Sequence, residues 1–202
     1  MSLPVDLGFQ PRPWQTLCFK AFKRYSVVIV HRRGGKTVMA ILRLVDAALR
    51  LMRTLGRYAY IAPQLKQAKG IAWDYLKAYA RKIPGTLINE GELWVEFPNT
   101  ARIRIFGADH PDSLRGLYFD GVVIDEVAQA KLELWGEILR PALADRNGWA
   151  LFIGTPKGVN LLSELYYKAL DDPEWCARSF TCFETEALSA AEIEAVRAEL
   201  TP

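Results

Sequence analysis

The chain has 202 residues, 50% of them hydrophobic, with 26 Lys and Arg set against 23 Asp and Glu for a formal charge of +3. That length suits one domain, able to bury about 70% of its unfolded surface and to fold alone. No stretch approaches the roughly 18 consecutive apolar residues of a membrane span, and so small a basic excess fits a phosphate-rich partner without demonstrating one.

The start, MSLPVDLGF, lacks a charged segment followed by an apolar run, which predicts a cytoplasmic protein with no membrane contact. Residues 26–37, SVVIVHRRGGKT, then run an apolar strand into a glycine pair and a helix predicted over 36–54. RYAYIAP at 57–63 is a second strand, stopped by Pro63. In 64–82, Leu65, Ala68, Ile71, Ala72, Tyr75, Leu76 and Tyr79 recur at helical spacing, predicting one long amphipathic helix with those residues, aromatics included, in the core. ELWVEFPNTARIRIFG at 92–107 alternates on both sides of Pro98-Asn99, the pattern of a hairpin. Arg102 and Arg104 share one face of its second strand, either as a solvated edge or against nucleic-acid backbone.

GADHPDSLRG is loop, 120–125 a strand, 131–145 a helix, 149–154 a strand and 160–170 a helix. A strand at 175–182 and a helix at 189–200 follow, the helix entered through Ser189 with Glu192 three residues on. The alternation predicts a mostly parallel sheet covered on both faces. No repeat or linker divides the chain. Cys18, Cys176 and Cys182 are odd in number and lack metal-ligand spacing, so they read as buried thiols in a reducing compartment, with no zinc site.

Two motifs carry the chemistry. A strand ending in a Gly-rich turn that opens a helix aims backbone N–H groups and a helix N-terminus at one spot, a site for phosphate. Lys36 would reach the β- and γ-phosphates and Thr37 would ligate Mg²⁺. The pattern G-x-x-x-x-G-K-[ST] wants glycine where this chain has Val30, so only Gly35-Lys36-Thr37 is intact; a turn in which Gly34 and Gly35 merely permit positive φ stands as the alternative. In GVVIDE at 121–126, Asp125 and Glu126 fall at the C-terminal end of a buried strand, where open parallel sheets bind ligands. Asp125 would share the Mg²⁺ with Thr37, and Glu126 would deprotonate the attacking water; capping of the next helix is the other reading.

HRRGGKT, the spaced SLRG…VVIDEVA run at 113–128 and IGTP at 153–156 together resemble the ATPase domain of the large terminase subunit of tailed bacteriophages and prophages. The resemblance covers essentially all 202 residues as one P-loop ATPase domain, with about 180–202 as the start of a lid or linker toward a nuclease domain. It implies a RecA-like, additional-strand α/β fold with a β-hairpin, and a phosphate loop that often lacks its first glycine. It further implies an ATP-hydrolysing motor that drives double-stranded DNA into a procapsid with a portal protein and a small terminase subunit. Such a chain would form a homo-oligomeric ring when assembled and a monomer in isolation.

By the same resemblance Trp14-Gln15 would recognise adenine, with Gln10 a weaker candidate; the residues by themselves read as a surface-to-core anchor for the N-terminal segment. Arg32 would sit by the γ-phosphate, with Arg33, Gly34 and Gly35 completing the loop around ATP. Arg115 would be an arginine finger offered to the neighbouring subunit, unless it simply pairs with Asp112 or Asp120. Thr155 of Gly154-Thr155-Pro156 would touch the surroundings of the catalytic glutamate and report loss of the γ-phosphate. The chain ends at Pro202, before the RNase H-like nuclease domain of such subunits, so DNA cleavage is not expected of it. A helicase-like translocase and a nucleotide-binding docking module that has lost turnover are the competing readings. All of them require two neighbouring strands to bring the 36–37 pair and the 125–126 pair to one divalent cation.

Overall fold

The structure is a computed structural model describing residues 6–51 and 54–200. Helix α1 (Pro13–Ala21) leads into β1 (Tyr25–Val30) and α2 (Lys36–Arg50). Next come β2 (Arg57–Ala62), α3 (Leu65–Gly70) and α4 (Ala72–Ala80), then β3 (Leu87–Asn89), β4 (Trp94–Glu96) and β5 (Arg102–Gly107). β6 (Gly121–Ile124) is followed by a π-helical segment, Leu134–Leu139, that runs into α5 (Arg140–Ala142). β7 (Trp149–Gly154), α6 (Leu161–Asp171), β8 (Trp175–Phe180), α7 (Cys182–Thr185) and α8 (Ala190–Leu200) complete the order.

The strands form one eight-stranded sheet in the order β3-β4-β5-β2-β6-β7-β1-β8. From β5 to β8 every pairing is parallel, and β3 and β4 extend the sheet antiparallel. Strand alternation splits the core in two. Val28, Val30, Tyr60, Ile103, Val123 and Ile153 pack under α1, α2 and α4, while Val27, Ile61, Val122, Ile124 and Phe152 face α6 and the 134–143 segment. Burial on both faces explains why these strands read as near-continuous apolar runs.

β1 and β6 are not neighbours, because β7 pairs with both and lies between them. The expected adjacency is thus corrected by one strand, and side-chain length must span about 10 Å of sheet. The 64–82 segment is two helices, since Gly70 ends α3 and Ile71 (φ −131°, ψ −63°) breaks the turn. The break rotates the stripe: Ala68, Ala72, Trp73, Leu76 and Ala80 are buried, whereas Leu65, Ile71 and Tyr75 are exposed. Trp73, not Tyr75, is the core aromatic there.

The hairpin forms as expected, but β5 is an interior strand and not an edge. Arg102 is tied to Glu96 at 2.9 Å and lies over the Trp94 ring, and Arg104 lies over Phe106. The helix expected over 131–145 widens to a π-helix ahead of Pro141, which has no N–H to donate and whose ring crowds the carbonyl of Glu137, and it stops at 142. Helix α2 stops at Arg50, and the rest of its expected span includes residues 52–53, which lie outside those described. Ser189 Oγ accepts from Glu192 N–H at 3.2 Å at the start of α8. All three cysteines are free, with Cys18 and Cys176 buried but Cys182 only half-buried at the start of α7. No described helix is long and apolar enough to cross a membrane.

Candidate active site

The turn between β1 and α2 needs each of its glycines for a different reason. A Cβ on Gly34 would lie 2.4 Å from Val30 Cγ1, and Gly35 takes φ +96° as the N-cap of α2. Val30, standing where the motif wants glycine, is fully buried and packs its side chain onto Gly34. Arg33 is left-handed at φ 62° and exposed. Below the turn, Arg12 Nη1 donates to the Gly34 carbonyl and Gln15 Nε2 to the Gly35 carbonyl, both at 3.1 Å.

The pair expected to meet adenine, Trp14-Gln15, lies beneath the loop. Gln15 is 3% exposed, its Oε1 accepts from Arg12 N–H at 2.9 Å, and its amide nitrogen is spent on Gly35. Trp14 is 1% exposed and packs on Phe180. Neither offers an open edge to a base, because α1 docks them beneath the loop as its support. Gln10 is exposed ahead of α1.

At the centre, Lys36 Nζ donates to Thr155 Oγ1 at 2.9 Å and lies 3.3 Å from Glu126 Oε1. Thr155 Oγ1 donates in turn to Glu126 Oε1 at 3.4 Å. These three side chains come from the ends of β1, β6 and β7, so the intervening strand supplies the link. Glu126 stands in the left-handed region at φ 47°, ψ 48°. A non-glycine residue held there costs about 1–3 kcal/mol and needs surrounding structure to impose it.

Asp125 is fixed from three directions. Its N–H donates to the Ile61 carbonyl at 2.8 Å, its Oδ1 accepts from Glu126 N–H at 2.8 Å, and its Oδ2 accepts from the Tyr60 hydroxyl. Thr37, Tyr60 and Asp125 line one cleft together, so Thr37 of the first residue pair and the acidic pair share it. Burial pushes the Asp125 carboxyl above the ordinary range; the Tyr60 bond opposes this, the Glu126 charge adds to it and Lys36 counters it. Burial likewise drives the Tyr60 phenol well up, reinforced by Asp125.

Two clefts open here. One of about 460 Å³ is lined by Thr37, Tyr60, Lys66, Gln67, Asp125 and Glu126, among others. The other, about 430 Å³, is lined by Arg32, Gln67, Glu126, Thr155 and Lys157 with their neighbours. The donor set suits Mg²⁺, which takes hard oxygen ligands and commonly only one or two carboxylates besides phosphate oxygens. A Thr hydroxyl and an Asp carboxylate fit that demand, and among the described residues no group of three or more His, Cys, Asp or Glu forms a cage for another metal.

Arg115 is not brought to these clefts. It follows a short 3₁₀ turn at Pro111–Leu114 and pairs with Asp112 at 2.9 Å, with its side chain about half exposed. Asp120, the other candidate partner, accepts from Arg57 N–H and faces Arg146. The residues that sequence reasoning missed are Arg12, Gln67 and Tyr60. Tyr60 alone carried a signal, since a hydroxyl inside an apolar strand must find a partner.

No protein-family model matches the chain. Over 180 residues it is 31% identical to the large terminase subunit of Thermus virus P23-45, a match covering 79% of this chain and 36% of that protein. The chain thus spans little more than a third of that relative's length (36%). The solved large terminase ATPase domain of Thermus phage P74-26 superposes with a TM-score of 0.78 at 24% identity, covering 97% of this chain and 90% of that one. The large terminase of the thermophilic bacteriophage D6E, solved in complex with ADP, gives 0.76 at 16% identity over 95% of this chain and 51% of that one.

The sheet order, with β7 set between the loop strand and the acidic strand, defines a RecA-like α/β domain. Over most of its length the chain is similar to phage large terminase subunits, and it has the fold of their ATPase domain.

Proposed function

We propose that this chain is the Mg²⁺-dependent, ATP-hydrolysing motor domain of a phage large terminase, acting on double-stranded DNA with a portal protein and a small subunit. The observation that carries the reading is the convergence of Lys36, Glu126 and Thr155 within 2.9–3.4 Å, beside the cleft that Thr37, Tyr60 and Asp125 line. Backbone N–H groups of Arg33, Gly34 and Gly35 and the N-terminus of the 15-residue α2 receive the β- and γ-phosphates. Lys36 turns from Glu126 to the phosphates, and Arg32 approaches the γ-phosphate from the second cleft. Thr37 and Asp125 would hold Mg²⁺, whose contribution when bound is to neutralise charge developing between the phosphates.

Glu126, released from Lys36, takes the proton of the attacking water. Thr155 Oγ1 touches both Lys36 and Glu126, so it registers which of them is engaged. Arg115, directed away from its own cleft, serves a neighbouring subunit in a ring. Steady-state phosphate release, measured with and without DNA and at rising protein concentration, tests the whole reading. Absence of Mg²⁺-dependent ATP turnover under every condition would remove it.

A further inference from the structure

Tyr60 is the sole tyrosine among the residues lining the two clefts, and the reaction sequence above gives it no role. Its ring is 1% exposed, held in the core beneath α2, and β2 is paired on both sides, with β5 and with β6. The hydroxyl is therefore fixed in space by a rigid frame. It donates to Asp125 Oδ2, and Thr37 lines the same cleft. Asp125 Oδ1 is already committed to Glu126 N–H at 2.8 Å.

A carboxylate offers about four lone-pair sites, so these two donors leave two for a cation and fix which two they are. Groups that orient a metal ligand from behind typically contribute about 10–100-fold to its metal affinity. Resting on the proposed function, we infer that Tyr60 is a positioning residue: its hydroxyl holds Asp125 in the one orientation in which it faces a divalent cation in the cleft it shares with Thr37. Without the hydroxyl, Asp125 can rotate about χ2, and the cation must restore it.

The test is Tyr60→Phe, which keeps the buried ring and removes only the oxygen, beside Tyr58→Phe on the same strand and face. Tyr58 donates to the Ala47 carbonyl at 3.1 Å, away from the clefts. Binding of a fluorescent ATP analogue is titrated with Mg²⁺, and separately measured in EDTA; thermal melts verify folding. Tyr60→Phe raises the half-saturating Mg²⁺ concentration about 10–100-fold, while nucleotide affinity in EDTA and the Tyr58→Phe titration stay at the parent's values. At saturating Mg²⁺ the variant's turnover returns to within a few-fold of the parent.

An unchanged Mg²⁺ requirement overturns the inference. So does a lowered one, which would make the hydroxyl a competitor for the cation's place. A parent chain that binds the analogue equally with and without Mg²⁺ would instead overturn the proposed function on which this role rests. If Tyr60→Phe melts below the assay temperature, the titration is repeated at a temperature where it and Tyr58→Phe are both folded, and an unchanged half-saturating Mg²⁺ concentration there overturns the inference.

Discussion

Lys36 Nζ lies 3.3 Å from Glu126 Oε1, so the ammonium of the phosphate loop and the carboxylate after β6 neutralise each other across the cleft. Under the proposed function, a phosphate chain arriving at the loop would compete for Lys36 and leave Glu126 as an uncompensated base, making binding and activation one event. Lys36→Ala abolishes binding of a fluorescent ATP analogue, whereas Glu126→Gln retains it and lowers turnover by about 10²–10⁴-fold. Turnover by Glu126→Gln at the parent's rate would show that the base lies elsewhere.

Arg115 is paired with Asp112 on the surface and lines neither cleft, so under the proposed function it serves a neighbouring copy. Specific ATPase activity should therefore rise with protein concentration or on ring assembly. An arginine finger is worth about 10³–10⁵ in rate, so Arg115→Ala removes that rise while leaving nucleotide affinity intact. Equal loss of activity at every concentration would place the residue in its own site.

His31, just ahead of the glycine turn, has Nε2 2.6 Å from Oγ1 of Thr185, which is fully buried in α7. The bond ties the loop to the C-terminal segment. Thr185→Val deletes it at nearly constant volume and costs about 1 kcal/mol, read as a lower urea midpoint with unchanged slope.

Burial pushes the Cys18 thiol up to about 12 and raises Cys176 as well. The thiolate is the nucleophile, so both are inert at pH 8 in the folded chain. Iodoacetamide followed by peptide mass spectrometry should label only the half-buried Cys182 in native protein, and all three cysteines in denaturant.

The Glu90 carboxylate is held below the ordinary range, first by the Trp73 indole N–H at 2.8 Å and then by Lys77. Its folded value lies below its unfolded one, so its stabilisation is complete above the ordinary carboxylate range and fades as pH falls through the folded value. The difference in urea midpoint between the parent and Glu90→Gln should accordingly be present at pH 7 and shrink in strong acid. A difference that grows on acidification would contradict this assignment.

Much of the frame was legible. β1, β2, β6 and β7 are short β-branched or aromatic runs, and full burial on both faces makes such runs continuous in the sequence. Asp125, Glu126 and Thr155 were legible too, because each stands directly after one of those runs, and Lys36 and Thr37 because they open a helix just past the glycine turn that follows β1. The break at Ile71 was not, since the apolar repeat continues through it and only the rotation of α4 shows which positions turn inward. Nor was the π-helical stretch before Pro141, where the repeat is satisfied by either winding.

Local chemistry alone determined the residue types at the site: a glycine turn that must open a helix, and acids that must end an apolar strand. Their distances to one another depended on the order of strands in the sheet, which no local pattern encodes. Only the tertiary structure placed β7 between β1 and β6, making Thr155 the bridge from Lys36 to Glu126. It likewise set Tyr60 of β2 against Asp125 and sent the Gln15 amide beneath Gly35. Hydrogen bonds between segments far apart in the chain form only once packing has fixed which surfaces meet.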